Sequence, residues 1–149
     1  GRCRVSLSQP LCLLIEWRKR EKELEILDVI RVYTGDDGES HFEDVEIGLE
    51  DRGLGGRISK LVRGSGVMFR EVDSTYDLDF HNAPRRQFVV NLTGSVDITV
   101  GDGTVRRLGP GEILLAEDTT GRGHKSAAVD GKSRTCLFLP VDDDADIGA

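Results

Sequence analysis

Apolar residues recur along most of this chain in short alternating runs, broken by Gly, Asp and Pro. That pattern belongs to strands joined by tight turns. It is densest in residues 79–125. Runs rich in Val, Ile and Thr at 87–92, 95–100 and 104–108 are separated by Thr93-Gly94 and by Gly101-Asp102-Gly103, and they read as hairpin strands. Gly109-Pro110-Gly111 makes a further tight turn, because Gly supplies positive φ and Pro fixes its own. A fourth run, 112–116, follows. His81 and His124 stand at the two ends of this meander, where antiparallel pairing can bring them together.

The flanks continue the pattern. Residues 27–33 read as a strand, followed by the turn Gly35-Asp36-Asp37-Gly38 and a second strand at 41–49 carrying Phe42, Val45, Ile47 and Leu49. Residues 60–72 supply a third strand region, with Gly64 and Gly66 marking a bend or bulge. Residues 74–79 lead into the central stretch. Beyond His124 come 126–129, a turn at Asp130-Gly131, and a last strand at 135–141. The start of the chain differs. Residues 1–9 lack periodicity, and 10–25 place Leu13, Trp17 and Leu24 on one helical face. There Glu16 with Arg20 and Lys19 with Glu23 form i,i+4 pairs, each worth roughly 0.2–0.5 kcal/mol. The expected organisation is an arm with a short helix over 1–26, one β-domain over 27–141, and a flexible acidic tail over 142–149. The expected fold class is all-β, an antiparallel barrel.

Composition narrows the function. A chain of 149 residues, 38% hydrophobic and 32% charged, suits one soluble domain with a real core. The formal net charge of −7 argues against nucleic acid as a partner, since phosphate contacts need cationic surface. No apolar run approaches the ~20 residues of a membrane span, and the run at 11–15 is shorter than the roughly 7–15 residues of a signal-peptide core. Cys3, Cys12 and Cys136 form no CxxC pattern, which suits reduced thiols. A cytoplasmic location and no membrane partner are expected. The Arg/Gly-rich loop at 52–57 lacks the Lys-Ser/Thr of a phosphate loop. Asn91-Leu92-Thr93 matches a glycosylation sequon but reads more simply as a strand end.

The turn spacing carries a resemblance. His81-Asn82-Ala83, Gln87 and Gly94 follow the order of a first cupin motif, which is His-x-His, then Glu, then a turn Gly. Gly103, Pro110-Gly111 and His124 follow the second. The stretch, about a third of the chain, resembles a small single-domain cupin, a jelly-roll β-barrel. The resemblance implies a ligand site in the barrel interior. It further implies a divalent transition metal (Zn, Fe, Ni or Mn) held by His81, Gln87 and His124. Ala83 stands where the family has its second His, and Gln87 where it has Glu. The alternative is a metal-free cavity lined by hydrogen-bonded histidines.

In an extended segment, residues of equal parity face one side, so His81, Ala83 and Gln87 share a face. Around them Tyr76, Asp77, Asp79, Glu117 and Asp118 supply polar groups. A carboxylate beside a His orients its tautomer and makes a general acid or base. His81, His124, Tyr76 and Asp118 are therefore the catalytic candidates. Gln87, Arg85 and Arg86 are the substrate-binding candidates, because Arg grips carboxylates bidentately. Of Arg85 and Arg86, opposite parity allows only one to point inward. His41 reads as a surface residue. Two functions fit: an enzyme acting on a small polar, carboxylate-bearing molecule by oxygenation, isomerisation, lyase or decarboxylation chemistry, or a module that holds a metabolite without turnover. A homodimer is expected, with Leu13, Trp17 and Leu24 as its apolar patch.

Overall fold

The computed structural model describes residues 26–149 except Leu54. The helix expected around Trp17 lies outside the described residues, as do Leu13 and Leu24. Twelve strands follow one another: β1 (Ile26–Thr34), β2 (Ser40–Gly48), β3 (Glu50–Asp51), β4 (Arg57–Ile58), β5 (Met68–Val72), β6 (Asp77–His81), β7 (Gln87–Thr93), β8 (Val96–Thr99), β9 (Val105–Leu108), β10 (Ile113–Glu117), β11 (His124–Ala128) and β12 (Arg134–Pro140). Among the described residues no helix is long and apolar enough to cross a membrane.

The pairing is nested. β8 pairs with β9, β7 with β10, β6 with β11 and β5 with β12, all antiparallel. One long hairpin, rolled up, gives this order, and the two resulting sheets are β10-β7-β12-β5 and β6-β11-β8-β9. That is a jelly roll. β1 and β2 extend the first sheet beyond β10 to six strands. β1 runs parallel to β10, a departure from the purely antiparallel expectation.

The main core fills the space between the sheets. Val32, Val89, Val96, Ile98, Leu108, Leu114 and Cys136 are buried there. A second cluster lies on the outer face of the six-stranded sheet, where Val29, Val45, Ile47 and Leu115 are buried with Phe88, Ile113 and Ile147 packed against them. This explains why 113–116 is an unbroken apolar run: Leu114 and Ala116 face one core, and Leu115 faces the other.

Three expectations about elements change. Residues 60–67 are not strand, and only Met68–Val72 pairs. Gly64 packs against the Pro140 carbonyl so closely that a Cβ would overlap it, and the Arg63 carbonyl accepts from the Asp142 amide at 3.0 Å. This segment's backbone partners therefore lie at the chain end. Residues 77–81, expected only to lead into the central stretch, form the strand β6. The acidic tail, expected to be free, is docked. Arg86 Nη1 donates to the carbonyls of Asp142 and Ala145 at 2.9 and 2.8 Å, the Gly148 carbonyl accepts from the Gly48 amide at 3.0 Å, and Ile147 covers the outer cluster.

Candidate functional site

β6 and β11 pair so that His81 and His124 are direct cross-strand partners. Residues paired this way have Cβ atoms about 4.5–5.5 Å apart, and the two imidazole rings sit 4.5 Å apart between centroids at an interplanar angle of 58°. A glycine makes the approach feasible. Gly123, with φ of 80°, presses against the His81 carbonyl, and any Cβ there would overlap it. Gly94, the turn residue of the first motif, is equally constrained, with φ of 69° and the Ser133 carbonyl 2.5 Å from where its Cβ would be.

Both rings are oriented by partners that only accept. His124 Nδ1 lies 2.6 Å from Asp118 Oδ2, and His81 Nδ1 lies 2.8 Å from the Asp79 carbonyl. A carboxylate and a carbonyl can only receive a proton, so each Nδ1 is the N–H and donates. That leaves both Nε2 lone pairs open on rings that line the same cavity. Asp118 is fully buried. Its Oδ2 also accepts from Ser40 Oγ at 2.8 Å, while its Oδ1 has no partner. Its carbonyl receives the Ala83 amide at 3.1 Å, tying the loop after β10 to the loop after β6.

The cavity holds about 270 Å³, below the roughly 300–1,000 Å³ of pockets for drug-sized ligands. Tyr76, His81, Ala83, Gln87, His124 and Ser126 lie on its wall. His81, Ala83 and Gln87 thus share the face that parity predicts. Tyr76 and Ser126 hydroxyls are 2.7 Å apart. Asp118 stands behind His124 rather than on the wall. Arg85 is exposed and reaches Gln87 Oε1 at 3.3 Å. Arg86, expected near the mouth, points away. Its Nε pairs with Glu117 Oε2 at 2.8 Å and its Nη1 grips the tail, because residue 86 has the outward parity of Phe88 rather than that of Gln87. Glu117 is held between Arg86 and Arg31, the latter at 2.6 Å. His41 pairs with Asp37 at 2.9 Å on the surface.

Two charged wall residues were missed by sequence reasoning. Arg134 and Arg70 both line the cavity. Arg134 opens β12 one residue before the expected strand start, and it shares a face with Cys136 and Phe138. The alternation was hard to read because Leu137 and Leu139, on the opposite face, are apolar too. Arg134 is 6% exposed, and burial presses its pKa below the ordinary arginine range.

The donor chemistry can be weighed against the metal that the cupin resemblance implies. The wall offers two neutral imidazole nitrogens and one amide, with no carboxylate to offset a divalent charge, and two arginines stand on the same wall. Two neutral nitrogens and an amide are a poor set for a transition metal, and neighbouring cations make it worse. Among the described residues no group of three or more His, Cys, Asp or Glu is placed to hold one. These residues do not fit a tightly held divalent ion.

No protein-family model matches this chain, and no curated protein does. Solved structures give distant likenesses. The conserved SPY1581 protein of unknown function from Streptococcus pyogenes is 20% identical, with a TM-score of 0.43 over 58% of this chain and 72% of that one. Protein NMB1881 from Neisseria meningitidis is 14% identical, with a TM-score of 0.41 over 54% and 79%. The Schizosaccharomyces pombe Cnp3 cupin domain is 9% identical, with a TM-score of 0.40 over 79% and 85%. At these TM-scores the fold assignment rests on the nested strand pairing itself.

Proposed function

We propose that the protein holds a small polar organic molecule in the jelly-roll interior and that the His124–His81 pair moves a proton on it. The observation that carries this reading is the buried Asp118 carboxylate 2.6 Å from His124 Nδ1. It holds one tautomer and one ring orientation, leaving Nε2 as acceptor toward the cavity. When Nε2 takes a proton from the ligand, the imidazolium remains hydrogen-bonded to Asp118. The His81 ring lies beside it, 4.5 Å away between centroids. One ring takes the proton from the ligand and a protonated ring returns it to a different atom, as isomerisation and lyase chemistry require. The ill-suited donor set argues that this chemistry runs without a resident metal.

The test is proton exchange in D₂O. The protein is incubated with a set of small keto and hydroxy acids, and deuterium incorporation is read by mass spectrometry. Wild type should label at least one member and keep doing so after chelator treatment. His124→Ala should lose this by roughly 10²-fold or more. Undiminished exchange in both His124→Ala and His81→Ala would refute the proton-transfer role. Saturable binding with no exchange would assign the pocket to holding a ligand alone.

A further inference from the structure

We propose that Arg134 and Arg70 form a carboxylate-binding subsite in this cavity, which makes the ligand a small organic acid whose anionic end lies away from the two histidines. The inference rests on the proposed ligand pocket and names the chemistry of what fills it. Arg134 is 94% removed from solvent, being 6% exposed. Its Nε has no hydrogen-bond partner, its Nη1 makes a long 3.3 Å bond to Asn91 Oδ1, and the Cys136 thiol is a further side-chain contact. No described carboxylate pairs with it. Burying an unpaired cation is costly. Among the described residues its neighbours supply a thiol and a phenol but no carboxylate, and the facing cation is another arginine. Arg70 stands on the adjacent strand, where its backbone partner is Cys136, and it too lines the cavity. Both guanidinium groups lie over the Tyr76 ring, at 5.3 Å for Arg70 and 5.9 Å for Arg134.

This leaves two cations, one with an unmet donor, on a cavity wall whose described residues include no anion. A planar guanidinium fork matches a carboxylate in shape as well as charge. Tyr76 fixes the position of the subsite relative to the histidines. Its hydroxyl bonds Ser126, which lies two residues along β11 from His124, roughly 7 Å at the rise of a strand. A ligand held by its carboxylate at Arg134 therefore places an atom a few bonds distant beside His124 Nε2.

The subsite is tested by titrating the full chain with acetate, butyrate and benzoate, each beside its neutral amide, and with inorganic phosphate. The arginine Nε–H signals are followed by NMR. At least one carboxylate should shift the Arg134 signal saturably, and its amide should not do so at tenfold higher concentration. Arg134→Met should weaken that binding by roughly 10- to 100-fold. Arg134→Lys, which keeps the charge without the fork and guards against a folding failure, should weaken it less. The proposal is overturned if no carboxylate shifts the signal, if amides bind equally, if phosphate alone binds, or if folded Arg134→Met binds as wild type does. His124→Ala separates the two readings. It removes the proposed proton-transfer group, and the carboxylate shift at Arg134 should persist in it. A persistent shift without any exchange chemistry in wild type would sink only the proton-transfer reading. Exchange that survives Arg134→Met unchanged would sink only the subsite.

Discussion

At the scale of single residues, the account turns on Asp118. A fully buried carboxylate with one bonded and one unbonded oxygen is a poor choice for stability alone. An asparagine there keeps both bonds only through its single, uncharged amide oxygen, and its NH2 then stands buried without a partner where Oδ1 now lies. Asp118→Asn is therefore expected to lower unfolding free energy by about 1–3 kcal/mol, read from urea denaturation. It should also lower any proton-transfer activity by far more than that loss of folded protein explains. Equal stability and equal activity would show that the carboxylate does nothing for the ring. The residues of this centre were partly legible in the sequence. His81, Gln87 and His124 were marked by the motif turns, and Asp118 by its nearness to His124. Arg134 and Arg70 were not, because an arginine in a short strand reads as surface until a neighbouring strand covers it.

At the scale of elements, the tail and the β8–β9 hairpin carry the sharpest expectations. Arg86 joins β10 to the chain end through Glu117 and the carbonyls of Asp142 and Ala145. Arg86→Ala should free the tail, uncover Ile147 and cost about 1–3 kcal/mol. Hydrogen exchange at the Gly48 amide, which the tail's Gly148 carbonyl accepts, should quicken with it. Unchanged protection there would show that the tail docks without this staple. In the hairpin, Arg107 holds the Asp97 carboxyl below the usual carboxylate range, chiefly through a side-chain hydrogen bond. A depressed folded-state pKa means stability present above the unfolded value near 3.9 and lost as pH falls through the folded one. The pair is partly exposed, so the loss should be no more than about 1 kcal/mol. Thermal unfolding of Asp97→Asn and wild type should differ most at pH 7 and less at pH 3, the gap closing only below the folded-state pKa. A gap as wide at pH 3 as at pH 7 would contradict the assignment. The hairpin strands themselves were readable because Gly and Asp punctuate them. β6 was not, although Asp77-Leu78-Asp79-Phe80 alternates, because it is only five residues long, carries two Asp, a residue depleted in strands, and pairs with β11 more than forty residues downstream.

At the scale of the whole molecule, the jelly roll was legible through the cupin resemblance, while the turns alone read as a meander: β7 pairs with β10 and β12 rather than with β8, and no turn marks the parallel docking of β1 on β10. Assembly belongs to this scale as well. Among the described residues, β5 is an edge strand of the six-stranded sheet. Phe69 on it is 82% exposed, with Leu61 89% exposed in the preceding loop. An open edge beside bare apolar groups invites pairing with another chain. A homodimer is therefore expected in solution, and Phe69→Lys should shift light scattering toward the monomer mass. A wild-type monomer at every concentration would contradict this.

The central claim is that two cavity histidines present unprotonated Nε2 atoms because Asp118 and the Asp79 carbonyl hold their Nδ1 protons. Long-range ¹⁵N–¹H correlation spectra of the imidazole rings, recorded on ligand-free protein above the histidine titration range, read this directly. The account predicts that His81 and His124 both appear as the Nδ1–H tautomer, and that Asp118→Asn changes the His124 pattern but not that of His81. Two Nε2–H rings in wild type, or a His124 pattern indifferent to Asp118, would contradict it.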